Sequence, residues 1–217
     1  MRTRRRNARE TAISPTSREI PPDGTALRGR ARRKTHLARD SHDGRDVSQD
    51  PPPTEEELDA AARRLGRVLV KRGWQMASAE SCTGGLVGHV ITQVPKSSDH
   101  YLGGVVSYSN AAKEELLDVR SELLERVGAV SAEVAEAMTD GALSCFPVAR
   151  LAVSVTGVAG PDGGSPDKPV GLTYVAAAIR GGPAVVERHT WSYDRAGNKR
   201  ASALAVLELA TRVAGGE

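Results

Sequence analysis

Three short stretches of the 217-residue chain hold side chains that can do chemistry at useful spacing. The first is Ser81-Cys82-Thr83-Gly84-Gly85, in which three consecutive side chains can act as nucleophiles. Its glycines let a backbone come close to a ligand. The stretch falls between an expected strand and an expected helix, where N–H groups and the helix dipole favour an anion or a developing oxyanion. No Lys-Ser/Thr follows the glycines, so this is not a P-loop. A tight structural turn would carry the same residues.

The second stretch is Ser107-Tyr108-Ser109-Asn110-Ala111-Ala112-Lys113, with Tyr108 ending a strand and Lys113 near the start of the next helix. Burial and a helix N-terminus both lower a lysine pKa, and a neutral amine can serve as a base. A serine activated by a lysine is a known variant of nucleophile–base catalysis. The plain alternative is a solvated Lys113 paired with Glu114 or Asp118. The third stretch, Thr156-Gly157-Val158-Ala159-Gly160-Pro161-Asp162-Gly163-Gly164, follows a strand directly. Loops outside strand ends are where open α/β sheets bind ligands, although Asp162 also suits an Asx turn.

Cys82 competes with Ser81 as nucleophile, since a thiolate attacks well near a helix N-terminus. None of His89, His100 or His189 forms a papain-like motif with it, and Cys82 reads as a small buried residue. Cys145, beside Phe146, reads as core. The histidines lack metal-ligand spacing, and neither a metal nor a cofactor is expected. Two cysteines exclude a disulfide framework.

The elements that must position these residues follow from periodicity. Thr54-Glu55-Glu56-Glu57 has capping-box spacing, and Leu58, Ala61, Ala62, Leu65, Val68 and Leu69 recur at helical intervals up to Gly73. Strands are expected over 74–79, 104–108, 150–156, 171–179 and 184–191, the last two joined at Gly181-Gly182-Pro183. Helices are expected after Gly85, from a cap at Asn110, from a cap at Ser131 and from a cap at Asp194. Alternating strands and helices of this order predict an α/β fold, a three-layer α/β/α arrangement around a mixed sheet. Hydrophobic residues make up 39% of the chain but aromatics only 3%, so the core must be built from Ala, Val and Leu.

Charge divides the chain. Residues 1–50 carry 13 Lys+Arg and 7 Asp+Glu, a net of +6, and the remainder carries a net of −3. Residues 1–53 therefore read as a basic extension too poor in apolar residues to fold, closed by Pro51-Pro52-Pro53. Residues 54–217 read as one domain. The extension suits a weak contact with a polyanion. It lacks the apolar stretch of a secretory signal, and no run is long enough to span a bilayer, which points to a cytoplasmic protein.

Taken together, Ala79-Glu80-Ser81-Cys82-Thr83-Gly84-Gly85, Ser107-Tyr108-Ser109-Asn110 with Lys113, Gly128-Ala129-Val130-Ser131, and Thr156 to Gly164 with Lys168-Pro169-Val170-Gly171 strongly resemble the C-terminal domain of the CinA competence/damage-inducible family. The resemblance covers about residues 55–213. Stand-alone members of that family include nicotinamide mononucleotide deamidases, so it implies hydrolysis of nicotinamide mononucleotide to nicotinic acid mononucleotide and ammonia, in pyridine nucleotide salvage. It implies Ser81 as nucleophile, Lys113 as general base and Tyr108 as a hydrogen-bonding partner of that pair. It places Thr83, Gly84, Gly85, Asn110, Thr156, Gly157, Gly160, Asp162 and Gly163 around the substrate. Arg195, in Tyr193-Asp194-Arg195, matches the arginine of a Gly-Asp-Arg motif and would meet substrate phosphate or reaction charge, with Tyr193 in place of the glycine. Family members often associate, so a homo-oligomer is expected. The other readings are a non-catalytic module for competence or DNA damage, and an amidase for a different small amide.

Overall fold

A computed structural model describes residues 51–216; the extension over residues 1–50 lies outside the described residues. Helix α1 (Glu55–Arg72) starts as its spacing predicts: the Thr54 hydroxyl accepts from the Glu57 N–H, and the Glu57 carboxylate accepts from the Thr54 N–H at 2.7 Å. It ends on Gly73 in the left-handed conformation. Strand β1 (Met76–Glu80), helix α2 (Leu86–Gln93), a single 3₁₀ turn, strand β2 (Tyr101–Val106) and helices α3 (Asn110–Leu117), α4 (Ser121–Val127) and α5 (Ala132–Cys145) follow. Strands β3 (Leu151–Gly157), β4 (Leu172–Ile179) and β5 (Ala184–Thr190) and the long helix α6 (Arg195–Gly215) complete the chain.

The five strands form one sheet in the order β2-β1-β3-β4-β5. The β2–β1 and β1–β3 pairs are parallel, and β3–β4 and β4–β5 are antiparallel. Helices α1, α2 and α6 cover one face over Leu58, Leu65, Leu69, Val87, Ile91, Val206 and Leu207. Helices α3, α4 and α5 cover the other over Leu117, Leu124, Val134 and Met138. This is the expected three-layer fold around a mixed sheet, with Ala, Val and Leu dominating the buried set.

Several local expectations are corrected. Strand β2 begins at Tyr101, three residues earlier than expected, because Gly103-Gly104 continues the edge strand that it was read as opening. Ser109, not Asn110, caps α3: the Ser109 hydroxyl accepts from the Ala112 N–H at 3.1 Å and Asn110 is the exposed first residue of the helix. The short helix α4 was not anticipated, since seven residues give barely two turns of periodicity. Cys145 is exposed rather than core, its thiol on the Leu116 carbonyl. Helix α5 approaches α3 closely at Gly141, where a Cβ would lie 2.2 Å from the Leu117 carbonyl oxygen. That approach seats α3, the helix that carries Lys113.

Candidate active site

The parallel strands β2, β1 and β3 end side by side, and their pairing continues one residue into the loops. The Ser81 N–H donates to the Val155 carbonyl at 3.0 Å, and the Ser107 N–H donates to the Glu80 carbonyl at 2.8 Å. Ser81 and Ser107 therefore sit outside adjacent carboxyl ends of the sheet, the usual ligand position in such folds. Helix α3 turns back over this edge and delivers Lys113. Its Nζ lies 2.9 Å from the Ser81 Oγ and 2.7 Å from the Ser107 carbonyl oxygen. Lys113 is 1% exposed and Ser81 7%.

Burial away from water pushes the Lys113 pKa below its ordinary 10.5. Among the described residues no carboxylate hydrogen-bonds the amine; its partners are a hydroxyl and a carbonyl. A neutral amine there can take the Ser81 proton while its own N–H stays on the Ser107 carbonyl. Cys82, next in sequence, goes the other way: burial raises its thiol to about 12, so it is protonated at neutral pH.

The turn after Ser81 is held by a residue that the sequence reading passed over. Glu80 is 2% exposed. Its Oε2 accepts from the Thr83 hydroxyl at 2.8 Å and from the N–H groups of Gly85 and Val87, and its Oε1 accepts from the Gly88 N–H at 2.8 Å. The N-terminus of α2 thus binds an anion, as expected, but the anion is the chain's own carboxylate. This corrects the expectation that N–H groups as far as Gly85 are open to an oxyanion. The Gly84 N–H closes the turn on the Ser81 carbonyl at 3.0 Å. Among the described residues, the N–H groups of Cys82 and Thr83 have no protein partner. Gly84 and Gly85 take φ of 61° and 95° to make the turn.

Other expected residues sit differently. Tyr108 is 62% exposed, and its hydroxyl accepts from the Arg195 guanidinium at 3.1 Å, not from Lys113 or Ser81. Arg195 also donates to the Gly160 carbonyl. It thereby joins the strand-end loop, the Gly-rich loop and α6. The Thr83 and Thr156 side chains are turned inward: Thr83 serves Glu80, and Thr156 donates to the Ala129 carbonyl at 2.8 Å, tying β3 to the Gly128-Ala129 turn. Neither hydroxyl lines an open pocket. Gly157 ends β3, where a Cβ would meet the Leu172 carbonyl at 2.6 Å. Asp162 and Gly163 are exposed in the loop, away from the Ser81–Lys113 contact in any hydrogen-bond sense. Asn198, also unanticipated, is 1% exposed and spans the Ala159 carbonyl and the Tyr193 N–H. It holds the segment preceding Arg195, where tyrosine stands in place of glycine. Glu80 was detectable as an acidic side chain shortly before a predicted helix start, where uncapped N–H groups seek acceptors, whereas Asn198 bonds to the Tyr193 N–H and the Ala159 carbonyl, outside its own helix, and carried no cap signal.

Comparison with known proteins converges on one family. The CinA C-terminal domain family model matches residues 58–214. A nicotinamide-nucleotide amidohydrolase PncC from Enterobacter agglomerans is 42% identical over 159 residues, 73% of this chain and 96% of that protein. A CinA-like protein from Desulfotalea psychrophila is 52% identical over 120 residues, 55% of this chain and 29% of its own length. The chain spans about a third of the length of the longer CinA-like relatives it matches. The crystal structure of a competence/damage-inducible protein from Agrobacterium tumefaciens superposes with a TM-score of 0.69 at 36% identity, covering 74% of this chain and 96% of that one.

Proposed function

The chain belongs to the CinA C-terminal domain family, and on that premise we propose that it is a serine–lysine amidohydrolase acting on nicotinamide mononucleotide. The observation that carries this reading is the 2.9 Å contact between the Ser81 Oγ and a buried Lys113 amine. The similarity to a protein named nicotinamide-nucleotide amidohydrolase supports nicotinamide mononucleotide as the substrate.

Neutral Lys113 removes the Ser81 proton as Oγ bonds to the amide carbon. The carbonyl oxygen becomes an oxyanion, for which the Cys82 and Thr83 N–H groups are available donors. Lys113 then passes its proton to the departing nitrogen, the C–N bond breaks and ammonia leaves. Water, deprotonated by Lys113, cleaves the acyl ester and yields nicotinic acid mononucleotide, and the proton returns to Ser81. Such a reaction belongs in pyridine nucleotide salvage.

Ammonia release across nicotinamide mononucleotide, nicotinamide, NAD and unrelated amides tests the substrate. Activity confined to the mononucleotide is expected, and activity on unrelated amides alone overturns it. Ser81→Ala is expected to lose nearly all turnover of the preferred amide while remaining folded. An active Ser81→Ala protein would refute the mechanism.

A further inference from the structure

At the end of the sheet away from Ser81, where β1 and β2 begin, the domain has a basic cleft. The length of β1 separates it from the Ser81 turn by about 16 Å. The cleft, of about 530 Å³, lies between α1 and the segment 94–99 that follows α2, and Arg63, Arg67, Lys71, Lys96, Asp99 and His100 line it. Arg63, Arg67 and Lys71 recur at every fourth residue and form one stripe along α1. Asp59 takes Arg63 at 2.7 Å. Arg67, Lys71 and Lys96 are exposed, and among the described residues their side chains have no ion pair or hydrogen bond. Asp99 is the one carboxylate in the cleft wall.

Two features make this more than a solvated helix face. Lys96 has a φ of 67°, left-handed backbone that glycine adopts freely and lysine rarely does. A cation therefore stands at this corner at a backbone cost that glycine would not incur. The floor of the cleft is His100, 4% exposed. Its ring is seated on Gly66, where a Cβ would lie 2.7 Å from Nε2. A glycine inside α1 weakens the helix relative to alanine, and here it admits an imidazole whose buried Nδ1 has no partner among the described residues. Burial lowers the His100 pKa below its ordinary 6.5, so the ring is neutral at neutral pH. The floor is thus polar and uncharged, and the rim carries three uncompensated cations. Like charges four residues apart on α1 repel, and an anion between them removes that repulsion.

We propose that this cleft binds an oligophosphate, a chain of two or more phosphate groups, at a site separate from the Ser81–Lys113 centre. Arg67 and Lys71 stand about one helical turn apart, roughly 5–6 Å, a span that a single phosphate does not cover and a short chain of them does. Lys96 adds a third contact from the neighbouring segment. The volume suits a small molecule, and the net of −3 on residues 51–217 disfavours a long polyanion such as duplex DNA. Val70, Val94 and Pro95 supply apolar wall, on which the organic body of a phosphate ester can rest. Because the cation heads are exposed, binding weakens as salt rises. The proposal is independent of the amide-hydrolysis reading.

The experiment is calorimetric titration of the full chain with sodium tripolyphosphate, metal-free adenosine triphosphate and inorganic phosphate at one fixed ionic strength. Tripolyphosphate should bind about tenfold or more tighter than phosphate, and the double variant Arg67→Gln/Lys71→Gln should weaken it by about tenfold or more. Lys96→Gly should also weaken it while leaving thermal stability equal or higher, since glycine relieves the left-handed backbone. The His100 ring resonance, assigned by its loss in His100→Gln, should shift on saturation in wild type and stay in place in the double variant. Residues 1–50 are basic too, so equal tripolyphosphate affinity in wild type and the double variant puts the anion on that extension and overturns the proposal. Equal affinity for tripolyphosphate and phosphate, undiminished binding by Lys96→Gly or an unmoved His100 resonance overturns it as well. Within the binding that the double variant loses, tighter adenosine triphosphate assigns an ester resting on the apolar wall, and tighter tripolyphosphate assigns the free chain. Thermal unfolding of each variant checks that it folds.

Discussion

Lys113 is the base in the proposed reaction, and its burial ties that role to pH. A base must be neutral to act, and burial lowers the Lys113 pKa from 10.5. Turnover should therefore rise with pH through a value below that of an ordinary lysine, read as the acidic limb of kcat/KM. Stability carries the same sign. The unfolded chain binds the Lys113 proton more tightly than the folded one, so this group's contribution falls as pH drops from about 10.4 toward the folded pKa, then levels off. Lys113→Met should be nearly inactive yet no less stable at neutral pH, and urea titrations across pH should show a flatter alkaline rise than in wild type. Cys82 gives the converse case. With its thiol at about 12 and buried, Cys82→Ala should keep most of its ammonia release, and slow alkylation of the native protein by iodoacetamide should confirm the shielding. Ser81 and Lys113 were legible in sequence because each lies in a short pattern tied to a strand end. The Tyr108–Arg195 contact was not, because its partners are 87 residues apart and meet only through the folded sheet.

At the scale of elements, the Ser81–Lys113 contact depends on two helices being held in place. Helix α2 is held by Glu80, whose carboxylate takes four donors from residues 83–88. Glu80→Ala would leave those donors to water or unpaired, and a loss of about 2–4 kcal/mol of stability is expected from chemical denaturation. Its kcat should fall more than its KM rises, since the Ser81 turn loses its anchor. Helix α3 is held against α5 at Gly141, where the obstacle is the Leu117 backbone carbonyl, which cannot rotate away. Gly141→Ala should push α3 outward, cost about 1–3 kcal/mol as overpacking does, and reduce turnover by moving Lys113. The helix caps at Thr54, Ser131 and Asp194 were readable in advance because capping is local chemistry. Glu80 was overlooked since it caps from the end of a strand, five to eight residues before the N–H groups it accepts from, outside the usual cap spacing. Gly141 was equally silent: a glycine within a helical run records a neighbour that the run itself does not contain.

For the whole molecule, charge separates two roles. The described domain belongs to the part of the chain with a net of −3, and residues 1–50 carry +6. An acidic body repels a polyanion, whereas a cluster of arginines binds one through counterion release, with affinity falling steeply as salt rises. We propose that residues 1–53 form a segment separate from the amidohydrolase domain and that any nucleic-acid contact belongs to it. The boundary has a structural anchor: the Arg200 guanidinium donates to the Pro53 carbonyl at 2.7 Å, fixing the chain just before α1. A chain beginning at Pro51 should therefore keep α1, its cap and the Ser81–Lys113 contact. Its kcat/KM should stay within about twofold of the full chain, the surface-change range of roughly 0.5 kcal/mol. The full chain should retard duplex DNA at low salt and release it at higher salt, and the shortened chain should not retard it. Retention of DNA by the shortened chain would place the contact on the domain itself, favouring the non-catalytic binding module over an enzyme with a basic arm.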